Sequence, residues 1–274
     1  MDDRAHAESE LLAAARRGDR DALGKLLAQH QQKVLGFSFR MCGNPEDAKE
    51  VTQETLLTMA RSVGDFRGDA SLSTWLYTIA RSFCIKSRRR SKGAPAHHEP
   101  LEAARDNAAE PTTTPEQMLL GRETRDKVIA ALARLEPAAR EAVVLRDIEG
   151  LTAAEVARIT RASVAAVKSR LHRARAALRE HLLSAVGGEA LPPPTPSSCP
   201  DVLTMLSRKL EDEISPELCA TMEEHVAACS RCSGLCDSLK KTLALCKALP
   251  APPIPEHVQN SIRQAVAAAL AKAK

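Results

Sequence analysis

Aromatic side chains are scarce in this chain, six of 274 residues or 2%. Phe37, Phe39, Phe66, Trp75, Tyr77 and Phe83 all fall in one N-terminal stretch, so cores elsewhere must be Leu, Ala and Val packing on helices. Long uncharged apolar runs are missing, which excludes a membrane-spanning helix. With no export leader in evidence either, the expectation is a cytoplasmic protein without a membrane. There, eight cysteines serve as thiols or metal ligands rather than disulfides. No nucleophile–base–orienter set and no βαβ context for dithiol chemistry stand out, so an enzyme is not expected. Acid is the last absence. Between Glu155 and Glu180 there is none, while Arg158, Arg161, Lys168, Arg170, Arg173, Arg175 and Arg179 all occur.

That acid-free run lies within Leu151 to Leu183 and reads as two helices and a tight turn. Thr152 with Glu155 three residues on forms a capping-box signature for a short helix through Ile159. A polar turn at 160–162 follows, and Ser163 caps a longer helix. There Val164, Val167, Leu171, Ala174 and Leu178 recur at helical spacing and make one apolar face. Ala165, Ala166, Ser169 and Arg173 lie opposite, flanked by a basic stripe of Lys168, His172, Arg175 and Arg179. A support helix, a tight turn and a small-then-basic exposed helix are the parts of a helix-turn-helix, whose second helix enters the major groove.

Charge divides the chain further. Residues 1–93 carry 16 basic and 12 acidic side chains, 94–115 carry 1 and 4, 116–186 carry 13 and 9, and 187–274 carry 9 and 10. Two basic blocks, separated by an acidic linker and followed by a near-neutral tail, point to two contacts with nucleic acid. Helical periodicity runs through both blocks, at Glu8–Arg17, Asp19–Met41, Glu46–Val63, Leu72–Arg90, Glu116–Leu135 and Pro137–Ile148, and the fold class expected is all-α. The divisions expected are 1–92, a flexible linker 93–115, 116–186, a proline-rich linker 187–198, and a small helical cysteine-rich domain 199–274. His97 and His98 read as solvated loop, and residues 256–272 as an amphipathic helix with Val258, Ile262, Val266 and Leu270 on one side.

Six of the cysteines fall in the tail: Cys199, Cys219, Cys229, Cys232, Cys236 and Cys246. His225, Cys229 and Cys232 have the H-x3-C-x2-C spacing that brings three ligands together where a helix ends, and Cys199 can supply the fourth. Three thiolates and an imidazole suit a tetrahedral, structural zinc. Cys219, Cys236 and Cys246 remain as further candidate metal ligands. Thiolate-rich ligation favours soft or borderline ions such as Cu(I), Cd(II) and Zn(II) without ranking them. Cys42 and Cys84 read as inert structural thiols.

Three stretches, DAKEVTQETLL (47–57), FRGDASLSTWLYTIARSFCIKSRRR (66–90) and the run from Leu132 to Leu178, resemble an extracytoplasmic-function sigma factor of bacterial RNA polymerase. The resemblance implies that residues 1–92 are sigma region 2 and 116–186 sigma region 4. It places Asp47, Gln53 and Glu54 against core polymerase. The 66–71 loop and the helix after it, with Lys86, Arg88, Arg89 and Arg90, fall at a −10 element opened to single strand, where stacking and a basic track hold bases. Trp75 reads as core. Lys168, Ser169, His172 and Arg173 fall at bases or adjacent phosphates of a −35 duplex, and Arg170 and Arg175 at phosphates. Lys49, Leu72 and Ser82 depart from the usual residues there. The tail around KLEDEISPELCATMEEHVAACSRC is similar to the zinc-binding fold of many anti-sigma factors, and its fusion to a sigma factor resembles the CorE-type group. That implies a regulatory Cu, Cd or Zn ion, and a tail that packs on the sigma domains and gates their activity. Two alternatives stay open: thiol-redox regulation by the same cysteines, and a stand-alone helix-turn-helix regulator.

Overall fold

The computed structural model describes residues 2–91, 115–186 and 199–249, with isolated positions between 256 and 267. The linker expected at 93–115, apart from Pro115, which begins a helix, the linker expected at 187–198, and the apolar positions of the 256–272 helix lie outside the described residues. Among the described residues every regular element is helical. They form two compact units, built on 2–91 and on 115–249.

In the first unit α1 (Asp2–Arg16), α2 (Arg20–Cys42), α3 (Pro45–Ser62) and α4 (Leu72–Ser91) follow one another. α1 begins earlier than its periodicity suggests. The Asp19 carboxylate accepts from the amides of Asp21 and Ala22, at 2.9 and 3.0 Å, and starts α2. Gly43 ends it at φ 80°, a left-handed conformation that glycine adopts without a Cβ penalty. Asn44 then caps α3 by accepting from the Asp47 amide at 2.8 Å. Phe37, Leu26, Met41, Leu56, Met59 and Leu76 are fully buried. The aromatic cluster belongs largely to this core. Phe37 meets Tyr77 at 5.0 Å between ring centroids, and buried Phe66 meets half-buried Trp75 at 5.1 Å.

The second unit runs through α5 (Pro115–Ala133), α6 (Pro137–Val143) with a π-helical continuation over Val144–Ile148, α7 (Ala153–Thr160) and α8 (Val164–Val186). Arg140 of α6 is buried and donates to the carbonyls of Leu132, Ala133 and Leu135, closing the end of α5. The capping box of Thr152 and Glu155 is present. Arg161 takes the left-handed conformation at φ 55°, and the Ala162 amide bonds back to the Ala157 carbonyl. This turn sets α8 against α7. Val167, Leu171, Ala174 and Leu178 are buried as their spacing implies, and Leu182 extends that face. Val164, expected on it, is 41% exposed.

After residue 199 come α9 (Val202–Lys209), α10 (Pro216–Ala228) and α11 (Ser230–Lys247). Val202, Leu206, Met222, Cys232, Cys236 and Leu239 make their core. α9 and α11 pack directly on α8, so the cysteine-rich stretch and the helix-turn-helix share one unit.

Candidate nucleic-acid interface and metal centre

Helix α8 sorts its polar side chains into two stripes. Ala165, Ser169 and Arg173, spaced by four, are exposed. The neighbouring stripe is covered by the turn that follows α9. Lys168 Nζ donates to the Glu211 carbonyl at 2.9 Å and lies 3.3 Å from a Glu213 carboxylate oxygen. His172 Nδ1 is 2.8 Å from Ser207 Oγ, and its Nε2 is 3.1 Å from Glu213 Oε2. Burial works to raise the Glu213 carboxyl, but hydrogen bonds from His172 and Lys168, with the Lys168 charge, hold it below the usual carboxylate value. Arg170, on the opposite side of the exposed stripe from Lys168 and His172, is half-buried.

Arg175 sits differently from the phosphate position expected for it. Its guanidinium is 1% exposed and donates to both carboxylate oxygens of Asp147, at 2.6 and 3.0 Å, to Glu211 at 2.6 Å and to Ser207 Oγ at 3.0 Å. Desolvation opposes its charge, yet the two carboxylates raise its pKa above the ordinary value. Asp147 is pushed up, first by burial and then, against the pull of Arg175, by the Glu211 charge. Arg146 adds a second guanidinium, 3.1 Å from Glu211. Arg175 is therefore the centre of a buried ion cluster rather than a free cation. Arg179, one turn on, is also buried, at 4%.

The covering turn has a defined geometry. The Glu213 amide bonds to the Arg208 carbonyl and the Asp212 amide to the Lys209 carbonyl, with Asp212 left-handed at φ 55°. This is the Schellman ending of a helix, with Asp where Gly is usual; Asp tolerates the conformation better than most residues. The reversal aims Glu211 and Glu213, on either side of Asp212, at α8.

The metal centre gathers four of the seven candidate ligands. Donor atoms of Cys199, His225, Cys229 and Cys232 all lie within 4.8 Å of one another. Cys199 and Cys229 sulfurs are 3.9 Å apart, and His225 Nε2 is 3.3 Å from the Cys232 sulfur. Zn–S and Zn–N bonds of about 2.3 and 2.0 Å make tetrahedron edges of roughly 3.5–3.8 Å, so the donor set fits such an ion. Burial, then the Cys199 and Cys229 sulfurs, push the Cys232 thiol up to about 12, while the Cys232 backbone amide holds Cys229 below its ordinary value. The other three cysteines fall outside the cluster. Cys236 belongs to the apolar core, where burial raises its thiol pKa. Cys246 is fully buried on α11. Cys219 sits half-buried on α10, 3.7 Å from Glu223.

In the first unit Asp47, Gln53 and Glu54 are half-buried on α3. Asp47 also accepts from Asn44 Nδ2 at 2.6 Å, as part of the helix start. Glu50 and Glu54 of α3 face Phe83, Lys86 and Arg90 of α4 across a shallow cleft, bridged where Arg90 reaches Glu50 at 2.8 Å. Lys86 and Arg89 are exposed and Arg88 half-buried. Cys42 and Cys84 face one another with sulfurs 3.4 Å apart.

Sequence reasoning missed Asp147, Ser207, Glu211 and Glu213 as partners of α8. The one available signal was LEDE at 210–213, three acids in four residues of a near-neutral tail, set against an acid-free helix.

Known proteins match along most of the chain. The family model described as Sigma-70 region 2 matches residues 26–93, that described as Sigma-70, region 4 matches 125–178, and that described as Putative zinc-finger matches 199–233. The chain is 31% identical over 180 residues to the RNA polymerase sigma-H factor of Pseudomonas aeruginosa, covering 64% of this chain and 93% of that protein. It is 35% identical over 173 residues to the ECF RNA polymerase sigma factor SigM of Mycobacterium tuberculosis, covering 63% and 83%. Among solved structures it is similar to CnrH in complex with the cytosolic domain of CnrY, at 27% identity and TM-score 0.46 over 65% of this chain and 98% of that one.

Proposed function

Because the chain belongs to the extracytoplasmic-function sigma factors, which direct bacterial RNA polymerase to promoters, we propose that its two units divide promoter recognition and that its tail gates it. The α3 face with Asp47, Gln53 and Glu54 docks on core polymerase. The 66–71 loop and the basic end of α4, with Lys86, Arg88, Arg89 and Arg90, hold the opened −10 strand. Lys168, Ser169, His172 and Arg173 contact bases or adjacent phosphates of the −35 duplex, and Arg170 holds a phosphate. A bidentate Arg–guanine contact discriminates by about 1–3 kcal/mol, whereas phosphate contacts set affinity and salt dependence. Arg175 is left out of this set because its charge is spent on Asp147 and Glu211.

Zinc is the ion that Cys199, His225, Cys229 and Cys232 would hold, in a site closed by four protein ligands and hence structural in kind. As in the CorE-type group that the fusion resembles, the metal-holding tail regulates the sigma factor. The observation that carries the gating is the set of hydrogen bonds from Lys168 and His172 to the turn after α9. A ligand shifts such an equilibrium only by its differential affinity for the two arrangements.

Run-off transcription with core polymerase, metal-free and with Zn, Cd and Cu in turn, tests both parts. Promoter-dependent transcript is expected, at a level that changes with metal. No transcript in any state refutes the promoter reading, and equal transcript in all states refutes the gating.

A further inference from the structure

We infer that the acidic turn Glu211–Glu213 is an occupant of the DNA-reading surface of α8, so that this chain's own tail and a promoter duplex compete for it. The inference rests on the −35 reading above and gives it a sign. Lys168 and His172 stand one step around the helix from Ser169 and Arg173. A duplex seated on the exposed stripe would bring phosphate oxygens to the covered one. Carboxylate and carbonyl oxygens already hold those places: the Glu211 carbonyl and both carboxylate oxygens of Glu213. The side chains of Lys168 and His172 are only 20% and 14% exposed as a result. The Glu213 carboxylate, a third exposed beside the groove-facing stripe, also repels a phosphate backbone. Arg175 is bonded to Asp147 of its own helical domain as well as to Glu211, so it keeps a partner when the turn departs. The surface is thus complete in both states.

The metal centre lies at the other end of the same element. Cys199 stands two residues before Asp201, whose carboxylate caps α9 by accepting from the Thr204 amide at 3.1 Å. His225, Cys229 and Cys232 come from the junction of α10 and α11. An ion held by all four would pin the start of α9 to that junction, and α9 carries Ser207 and the acidic turn. Metal loading therefore closes the surface and metal loss frees it.

The test uses the full chain and a fluorescein-labelled random-sequence 30-base-pair duplex, read by anisotropy across a salt series. Phosphate contacts do not depend on base sequence, and each adds about 0.9 to the salt slope. E213Q and E211Q/E213Q are expected to bind several-fold more tightly than the parent, with a slope steeper by up to about two contacts. Stripping zinc from the parent with a chelator should tighten binding in the same direction. E213Q alone keeps the experiment decisive if loss of buried Glu211 impairs folding, because Glu213 is a third exposed. Unchanged or weaker binding by E213Q overturns the inference, as does unchanged binding on chelation for the metal link. R173A in the E213Q background separates the two levels. Loss of affinity there with no gain from E213Q refutes the competition alone, whereas no loss from R173A refutes the reading of α8 on which it rests.

A different observation carries a second site. We infer that Cys42 and Cys84 form a peroxide-sensitive dithiol. Their sulfurs are 3.4 Å apart, one half-buried where α2 ends and the other fully buried in α4. The Cys42 thiol gives up its proton as its sulfur attacks one oxygen of hydrogen peroxide; the O–O bond breaks, the sulfur becomes a sulfenic acid, and the departing hydroxide takes the proton and leaves as water. The Cys84 sulfur then displaces that hydroxyl as a second water, so two thiols and one hydrogen peroxide give one disulfide and two waters. Disulfides of this transient kind are those that reducing compartments tolerate. Hydrogen peroxide treatment of the reduced full chain, followed by alkylation and peptide mass analysis, should show a 42–84 cross-linked peptide lighter by two hydrogens. A reductant should reverse the cross-link and C84S should abolish it. Full alkylation of both cysteines after peroxide, in a chain whose zinc-ligand thiols have reacted, overturns it.

Discussion

The Arg175 guanidinium donates to the Glu211 carboxylate at 2.6 Å, and both side chains are 1% exposed. One comes from the back of the helix that carries the proposed DNA contacts, the other from the turn that closes the helix after Cys199. A charge in that position costs several kcal/mol to desolvate, and only a full set of partners recovers it. Arg175 has that set in Asp147, Glu211 and Ser207. The tail is thus joined to the sigma fold by a buried network, with the half-buried contacts of Lys168 and His172 built beside it.

R175A is therefore expected to damage the second unit severely. It would leave the Asp147 and Glu211 carboxylates buried together with only Arg146 nearby, a loss of about 3–5 kcal/mol. Urea unfolding followed by circular dichroism measures it. A loss below about 1 kcal/mol, the range of exposed ion pairs, would show that the cluster is solvated and the account of it wrong.

Metal stoichiometry distinguishes the four converging ligands from the other tail cysteines. The purified chain is expected to bind one zinc, and C199S, H225A, C229S and C232S each to weaken that binding. C219S and C246A should keep it, because neither sulfur belongs to the donor cluster. Elemental analysis after dialysis against a weak chelator reads the outcome. Loss of zinc from C246A or C219S would show a larger or different site.

Much of this arrangement was legible in the sequence, for reasons that differ by element. The capping box at Thr152, the turn before Ser163 and the buried face from Val167 to Leu178 are local, and their periodicity and caps declare them. The candidate metal ligands are nearly as local, since His225, Cys229 and Cys232 lie on one helix end and the next helix start. What could not be read was which face of α8 meets which part of the tail. Lys168 and Glu211 are 43 residues apart, and contacts between helices distant in sequence leave no periodic trace. Arg175 shows the consequence. Its spacing places it on a basic stripe, but Asp147 and Glu211 make it a core residue.

Acid sensitivity in the first unit should trace to His30. Its ring is 2% exposed, and Nε2 lies 3.6 Å from Glu8 without a hydrogen bond. Burial lowers its pKa below 6.5, with Lys33 acting the same way and Glu8 failing to compensate. The unfolded chain then binds the proton more readily than the folded one. This contribution to stability is fully present above about pH 6.5 and is lost as pH falls below it toward the folded-state pKa. Melting temperature should fall as pH is lowered through that window in the parent. H30L should flatten the slope, and an unaltered slope would assign the sensitivity elsewhere.

Arg179, a single turn beyond Arg175, should respond in the opposite direction. It is 4% exposed, and its Nε and Nη2 have no hydrogen-bond partner among the described residues. Desolvation lowers its pKa, with only the Glu180 charge acting against it. A buried polar group without a partner carries its desolvation cost of about 1–3 kcal/mol uncompensated. Methionine fills a similar volume with no donor to satisfy and packs adaptably. R179M is therefore expected to raise the urea midpoint of the second unit, whereas R175M, which deletes the centre of a satisfied network, should lower it. Two arginines four residues apart on one helix, both hidden from solvent, would then differ in sign because one is hydrogen-bonded to two carboxylates and the other, among the described residues, leaves Nε and Nη2 without a partner. If R179M also destabilises, Arg179 has a partner beyond the described residues, and cross-linking from position 179 would find it.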